Sequence, residues 1–407
     1  MNEPKLRFKA DDGSQFPDWE EKKLSDIFVE RREMQCIDDE YKLLSFTIEQ
    51  GVINPEDKKT NKRDFLMKDK ASKKFLRTEY NDIIYNPANL KYGAINRNKL
   101  GKGLLSPIYA IFYTEQNAVF MESVVRNPDF IKRSLKYLEG TVIKLMTLKP
   151  RDFLRIKSYI PSIPEQQKIA EFLSTIDTVI EKQKETVSAW EERKKGVMQK
   201  LFSQEVRFKA DDGSEFPDWE EKKLGDCCSL ITKGTTPKEY PENGDVNFVR
   251  IDCIENGSIN ISKCLKINEQ IHNGELARSV LKENDLLCSI AGALGVVTVV
   301  TKDILPANTN QALAILRLYE SENVQYISKT LSSYIMEKYI RECKTVGAQP
   351  NLSLGQMRDL IIPYPCSDEQ QKIADCLSSL DEVIEKQKAT LAAWEELKKG
   401  LLQQMVV

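Results

Sequence analysis

Residues 165–200 read EQQKIAEFLSTIDTVIEKQKETVSAWEERKKGVMQK, and residues 369–404 read EQQKIADCLSSLDEVIEKQKATLAAWEELKKGLLQQ. The two stretches are near copies set 204 positions apart. In the first, Leu173, Ile176, Ile180, Gln183, Val187, Trp190, Lys194, Val197 and Leu201 are spaced by alternating steps of three and four. In the second, Leu377, Leu380, Ile384, Gln387, Leu391, Trp394, Lys398, Leu401 and Met405 keep the same spacing. Apolar residues at that spacing form one stripe along an α-helix, and the alternation is that of a coiled-coil seam. The two polar seam positions coincide between the copies, Gln183 with Gln387 and Lys194 with Lys398. Neither copy has an internal proline, so its thirty-six residues predict a rod of roughly 54 Å.

Each stripe must be covered, either by the globular block beside it or by the other helix. Antiparallel pairing of the two helices is the expectation, with Gln183 and Gln387 setting the register and a pseudo-two-fold axis between the copies. Ser162-Ile163-Pro164-Glu165 and Ser367-Asp368-Glu369-Gln370 fit the spacing of a capping box at each helix start. Gly196 and Gly400 fall at matching points, where close approach, a bend or simple fraying are all compatible with a glycine.

A second repeat precedes the variable blocks. Residues 7–24 read RFKADDGSQFPDWEEKKL, and residues 207–224 differ from them at one position, Gln15 against Glu215. Beyond the strips the two sequences are almost unrelated until the long helices begin. The resulting order is a strip (1–24), a variable block (25–162), a long helix (163–206), a strip (207–224), a second block (225–366) and a second helix (367–407). Strand-like runs at 82–85 (DIIY), 108–113 (IYAIFY), 246–251 (VNFVRI) and 296–300 (VVTVV), separated by turn signals, make both blocks mixed in character. The predicted fold class is α+β (mixed α/β): two globular domains joined by two long antiparallel coiled-coil helices.

A chain of 407 residues is long enough for each block to bury its own core. No apolar run approaches the roughly 20 residues of a membrane span, and MNEPKLRFKADDG has no apolar signal region, so a cytoplasmic protein is expected. Nine cysteines without a CxxC, and a lone His272, leave no zinc-ligand spacing and argue against histidine-based catalysis. The formal net charge of −2 conceals an asymmetry. Residues 25–160 hold 25 Lys+Arg against 18 Asp+Glu, residues 225–363 hold 14 against 16, and the repeated frame is acidic.

The first block carries a basic run at 57–77 and then NLKYGAINRNKLGKG at 89–103. The latter sets Lys91, Tyr92, Arg97, Asn98, Lys99 and Lys102 among glycines. Cations bind phosphate, arginine reads guanine, asparagine or glutamine reads adenine, and glycines let a loop enter a groove. A solvated basic face is the plainer alternative. The second block offers TKGTTPKEY at 232–240, PANTNQA at 306–312 and VGAQPNLS at 346–353, with Lys233, Thr235, Lys238, Asn308, Asn310, Gln311, Gln349 and Asn351 as candidates. Ordinary turn chemistry accounts for such residues equally well.

Catalytic motifs do not survive inspection. Asp18 and Glu20 are too close in sequence for a PD…(D/E)xK nuclease site, AGALGVV at 291–297 lacks the dinucleotide fingerprint, and Gly101-Lys102-Gly103 is no P-loop. A recognition protein is expected, not an enzyme.

Duplicated helices beginning EQQKIA, with Trp19 and Leu24, and Trp219 and Leu224, in the strips, resemble the specificity subunits of type I restriction–modification systems. In the second block LITKGTTP and GAQPNLS look like target-recognition segments, whereas the first block departs from those forms. The resemblance implies two target recognition domains reading the halves of a bipartite, asymmetric site on double-stranded DNA. It also implies two docked methyltransferase subunits and a restriction/translocase subunit. S-adenosylmethionine would sit on the former, ATP and magnesium on the latter, and no cofactor or metal on this chain. No membrane partner is expected. The rival class is a coiled-coil interaction scaffold without DNA specificity.

Overall fold

The computed structural model describes residues 3–58, 73–139, 146–238, 244–255, 257–343 and 351–406. Both repeated stretches are single helices, Ile163–Phe202 and Ser367–Met405. The chain divides into two units, Met1–Glu185 with Ala389–Val407, and Thr186–Lys388. Each unit therefore contains the first half of one long helix and the second half of the other.

Ion pairs inside each unit give the helix direction. In the first, Lys398 pairs with Asp177, and Lys184 Nζ lies 3.9 Å from Glu395 Oε1. In the second, Lys194 pairs with Asp381, and Lys388 Nζ lies 2.9 Å from Glu191 Oε1. Residue numbers rise on one helix as they fall on its neighbour, so the pairing is antiparallel. The shared polar seam lysines thereby acquire a purpose, since each bonds an aspartate on the opposite helix.

Leu173, Ile176, Ile180, Val187, Leu201, Leu377, Ile384 and Met405 are buried, and Trp190, Val197, Leu380, Leu391, Trp394 and Leu401 are half-buried. The stripe ends also enter the domain cores. Leu173 and Met405 join Phe120 and Val124 in one core, while Leu201 and Leu377 join Tyr326 and Leu331 in the other. The helices thus cover each other and their globular blocks, at different points along the same stripe. A Cβ at Gly196 or Gly400 would meet open space, and the helix continues past both, so neither marks a close approach.

The capping boxes do not form. Ser162 Oγ is buried without a hydrogen-bond partner, and Ser367 is itself the first helical residue. Glu165 is taken instead by the strip: Arg7 donates from Nε (3.0 Å) and Nη2 (2.9 Å) to its two carboxylate oxygens. Arg207 does the same to Glu369 at 3.1 and 2.7 Å. A guanidinium fork making two charge-assisted bonds outcompetes a backbone N–H for a buried carboxylate. Lys168 Nζ adds bonds to Lys9 O and Asp11, and Lys372 Nζ repeats them on Lys209 O and Asp211.

The strip then closes its domain. Strand Glu20–Lys23 pairs antiparallel with Lys157–Ile160, the segment that leads into the first long helix. Glu220–Lys223 pairs likewise with Ile361–Tyr364 before the second. Entry and exit of each variable block therefore lie side by side on a common frame. The frame is also cyclic in its contacts, because Leu6 N–H donates to Gln404 O as Val206 N–H donates to Lys200 O.

On this frame the divergent blocks build the same four-stranded sheet twice. The first has a four-stranded antiparallel sheet in the order Phe28–Glu30, Ala110–Thr114, Ile83–Tyr85, Ile95–Arg97. The second repeats it with Cys228–Lys233, Leu313–Leu318, Leu286–Ser289 and Val297–Val299. Continuous apolar runs suit strands covered on both faces: Ile83, Ile84 and Tyr85 are fully buried, as are Leu286, Leu287 and Cys288.

Candidate nucleic-acid interface

The strand Cys228–Lys233 runs out of the second sheet into a turn that only glycine permits. A Cβ on Gly234 would lie 2.1 Å from the Thr309 carbonyl oxygen. This close approach lets Thr235 N–H donate to Thr309 O (3.0 Å) and Gly234 N–H to Leu313 O (3.2 Å). Three further bonds draw the neighbouring loops in. Arg278 Nη2 donates to Thr235 Oγ1 (2.9 Å), Lys238 N–H to Glu275 Oε1 (3.3 Å), and the Thr236 hydroxyl bonds the Gln311 side-chain carbonyl. Leu352 N–H donates to Ile290 O and Ile290 N–H to Ala312 O, which brings Asn351 to the same region.

The result is one cluster of loops in which Lys233, Lys238, Arg278, Gln311 and Asn351 are exposed, with Thr235 and Asn310 half-buried. Three cations gather there, in a block whose sum of charges is slightly negative. Cations positioned beside amide and hydroxyl groups bind a phosphate backbone and hydrogen-bond base edges. Arg278 was not among the expected residues, for nothing in its surrounding ELARS marks it, and only the fold carries it to Thr235.

Other expected base-readers belong to the scaffold. Asn308 is fully buried; its Nδ2 donates to Leu276 O (2.9 Å) and reaches Ser279 Oγ at 3.3 Å, while its carbonyl oxygen lies 2.5 Å from His272 Nδ1. In the first unit Arg97 is buried, its Nε 3.1 Å from Glu122 Oε2 and its Nη1 donating to Asn81 Oδ1 at 2.7 Å. Asn98 is fully buried and closes the turn, accepting from Leu100 and Gly101 N–H and donating to Thr78 Oγ1 and Gly101 O. Buried amides with their hydrogen-bonding capacity used inside the fold have no edge to offer a base. The asparagine three residues before a positive-φ glycine (Gly101, φ 116°) was the available signal for this turn.

Four candidates of the first unit remain near the surface. Tyr92 is 65% exposed with Lys91 Nζ 5.1 Å above its ring. Lys99 Nζ lies 3.8 Å from Glu122 Oε2, and Lys102 pairs with Glu40, whose carboxylate holds the ammonium above the usual lysine range. Part of this loop's positive charge is thus answered from within. Gln349 and most of the basic run at 57–77 lie outside the described residues. Among the described residues no group of three or more His, Cys, Asp or Glu is arranged to hold a metal, and no helix is long and apolar enough to cross a membrane.

Two like-built domains of unlike sequence on a duplicated helical frame, one bearing a cationic polar loop cluster, define a two-domain recognition protein. The chain is similar to the specificity subunits of type I restriction–modification systems. Residues 217–393 match the type I restriction modification DNA specificity domain. The chain is 27% identical over 359 residues to the type I restriction enzyme MjaVIII specificity subunit of Methanocaldococcus jannaschii, spanning 83% of this chain and 82% of that protein. It is 26% identical over 184 residues to the EcoBI specificity subunit of Escherichia coli, spanning 42% of this chain and 37% of that one. Its fold is that of the S subunit of a type I system from M. genitalium (TM-score 0.54, 15% identity, covering 100% of this chain and 99% of that one).

Proposed function

We propose that the chain selects the DNA site of a type I restriction–modification complex, its two variable domains each reading one half of a bipartite, asymmetric sequence. The observation that carries this reading is the matching seating of two unlike domains. Arg7–Glu165 and Arg207–Glu369, with their paired strands, repeat the same joint beneath blocks that share a four-stranded sheet but little sequence. A joint built twice suits two copies of one partner; blocks free to differ suit two different DNA sequences.

A single bidentate contact to a base discriminates by only about 1–3 kcal/mol, so one small domain cannot select a site from a genome. Two domains held on one frame combine their discrimination. In this reading the chain has no catalytic step of its own. Two methyltransferase subunits supply S-adenosylmethionine and flip the target adenine for N6 methylation, and a restriction/translocase subunit supplies ATP and magnesium chemistry. The complex works on cytoplasmic DNA.

Exchanging residues 25–160 for the corresponding block of another specificity subunit, then sequencing the methylome of a host carrying the complex, tests this. N6-methyladenine should appear at a split motif in which one half has changed and the other is retained. A motif unaffected by the exchange sinks the proposal. A reconstituted complex whose DNA affinity does not fall with added salt would favour an interaction scaffold instead, because phosphate contacts release counterions.

A further inference from the structure

We infer that Arg278 is a specificity-determining residue of the second domain, its guanidinium oriented by Thr235 to read a guanine in the major groove. The inference rests on the DNA-reading function proposed above and names one contact within it.

Arg278 differs from Arg250 and Arg317 in how its charge is met. Arg250 and Arg317 of the same unit are ion-paired, with Asp252 at 2.6 Å and Asp285 at 2.7 Å. Arg278 is exposed, and among the described residues no carboxylate lies within 4.0 Å of it. Its guanidinium bonds a neutral hydroxyl, Thr235 Oγ1, at 2.9 Å. No ion pair among the described residues offsets its charge, and the loop cluster also exposes Lys233 and Lys238.

The side chain is also preorganised. Both of its ends are tied to the same buried strand, Ala307–Thr309. At the backbone end, Arg278 sits in the turn Ala277–Ser279, which Asn308 Nδ2 clasps through Leu276 O and Ser279 Oγ. At the guanidinium end, Thr235 is bonded through its N–H to Thr309 O, and Thr309 is itself fully buried with its hydroxyl on Val249 O. Gly234 permits that approach. A long arginine side chain normally loses considerable rotamer freedom on binding; one already held at both ends loses less.

Donor geometry selects the base. A guanidinium has five donors, and one bond to Thr235 leaves a two-donor edge free. Guanine presents O6 and N7 in the major groove as the matching pair of acceptors. Flexible exposed lysines suffice for phosphate, whereas an oriented fork matches a base edge.

The test uses the chain in its complex with partner subunits. The wild-type methylome first defines the split motif; absence of any such motif defeats the DNA-reading function itself. Arg278→Ala should then make one G·C position of one half-site degenerate, with discrimination at that position lowered roughly 5- to 150-fold in competition binding between matched and substituted duplexes. The other half-site should be retained, which also shows that the variant folds and assembles. Arg278→Lys keeps the charge but not the fork, so it should preserve affinity while losing the same position. Thr235→Val should weaken discrimination there to a smaller degree. An unchanged motif in Arg278→Lys overturns the inference. So does a uniform loss of affinity in Arg278→Ala with every motif position intact, the signature of a phosphate contact.

Discussion

A carboxylate with no exposed side-chain surface must have its lost hydration replaced, and Glu165 and Glu369 are both in that position. Arg7 and Arg207 provide the replacement, and Trp219 Nε1 adds a bond of 2.8 Å to Glu369, whereas Trp19 Nε1 is buried without a partner. Removing one member of such a pair leaves an uncompensated charge, which costs about 3–5 kcal/mol. Arg207→Ala should therefore lower the stability of the second unit by an amount in that range, read as a drop in urea midpoint at unchanged slope. Arg207→Lys, which keeps the charge without the fork, should fall between the two. Equal midpoints for wild type and Arg207→Ala would mean that the joint is not held this way. The pairings were invisible in the sequence for a plain reason: 158 and 162 residues separate their members, and the capping-box spacing offered Glu165 a nearer partner.

At the scale of elements, regular periodicity was legible and tertiary electrostatics was not. Both long helices and all four of the strand-like runs at 82–85, 108–113, 246–251 and 296–300 appear, because a stripe or an apolar run reports burial directly. Arg97, Asn98 and Asn308 had the residue types of base readers, yet their burial depends on what surrounds them in space. Arg278, which bonds the candidate Thr235 from 43 residues away, escaped notice for the same reason. The seam lysines were visible as a coincidence, and the structure supplies their chemistry. Burial alone would raise the Asp381 pKa, but Lys194 of the opposite helix and Lys329 of the second domain outweigh it and hold the carboxyl below its usual value. A carboxyl depressed on folding adds stability above its unfolded pKa of about 4 and loses it as pH falls through the folded value. Asp381→Asn should thus cost about 1 kcal/mol near neutrality and flatten the loss of stability below about pH 4. Chemical denaturation of wild type and variant across pH 2–7 measures both, and parallel curves would deny the aspartate this role.

For the whole molecule, the division of each helix between two units decides how specificity can change. A variable block enters and leaves through one strand pair, so its interior can diverge without disturbing the joint. The two helices, by contrast, must change together, since Lys194–Asp381 and Lys398–Asp177 fix their antiparallel register within each unit. The unit boundary falls after Glu185 on one helix and after Lys388 on the other. Seven residues inserted at both points keep the stripe in phase to within about 20° and leave every intra-unit ion pair intact. They lengthen each connection by about 10 Å, the rise of about three base pairs at ~3.4 Å each. The methylome of such a double insertion should show both half-sites unchanged and the gap between them longer by about three base pairs. An insertion in one helix alone makes the two connections unequal and should abolish methylation, because the second helix must bend or unwind to match. A double insertion that methylates at the original gap would show that the helices do not set the spacing.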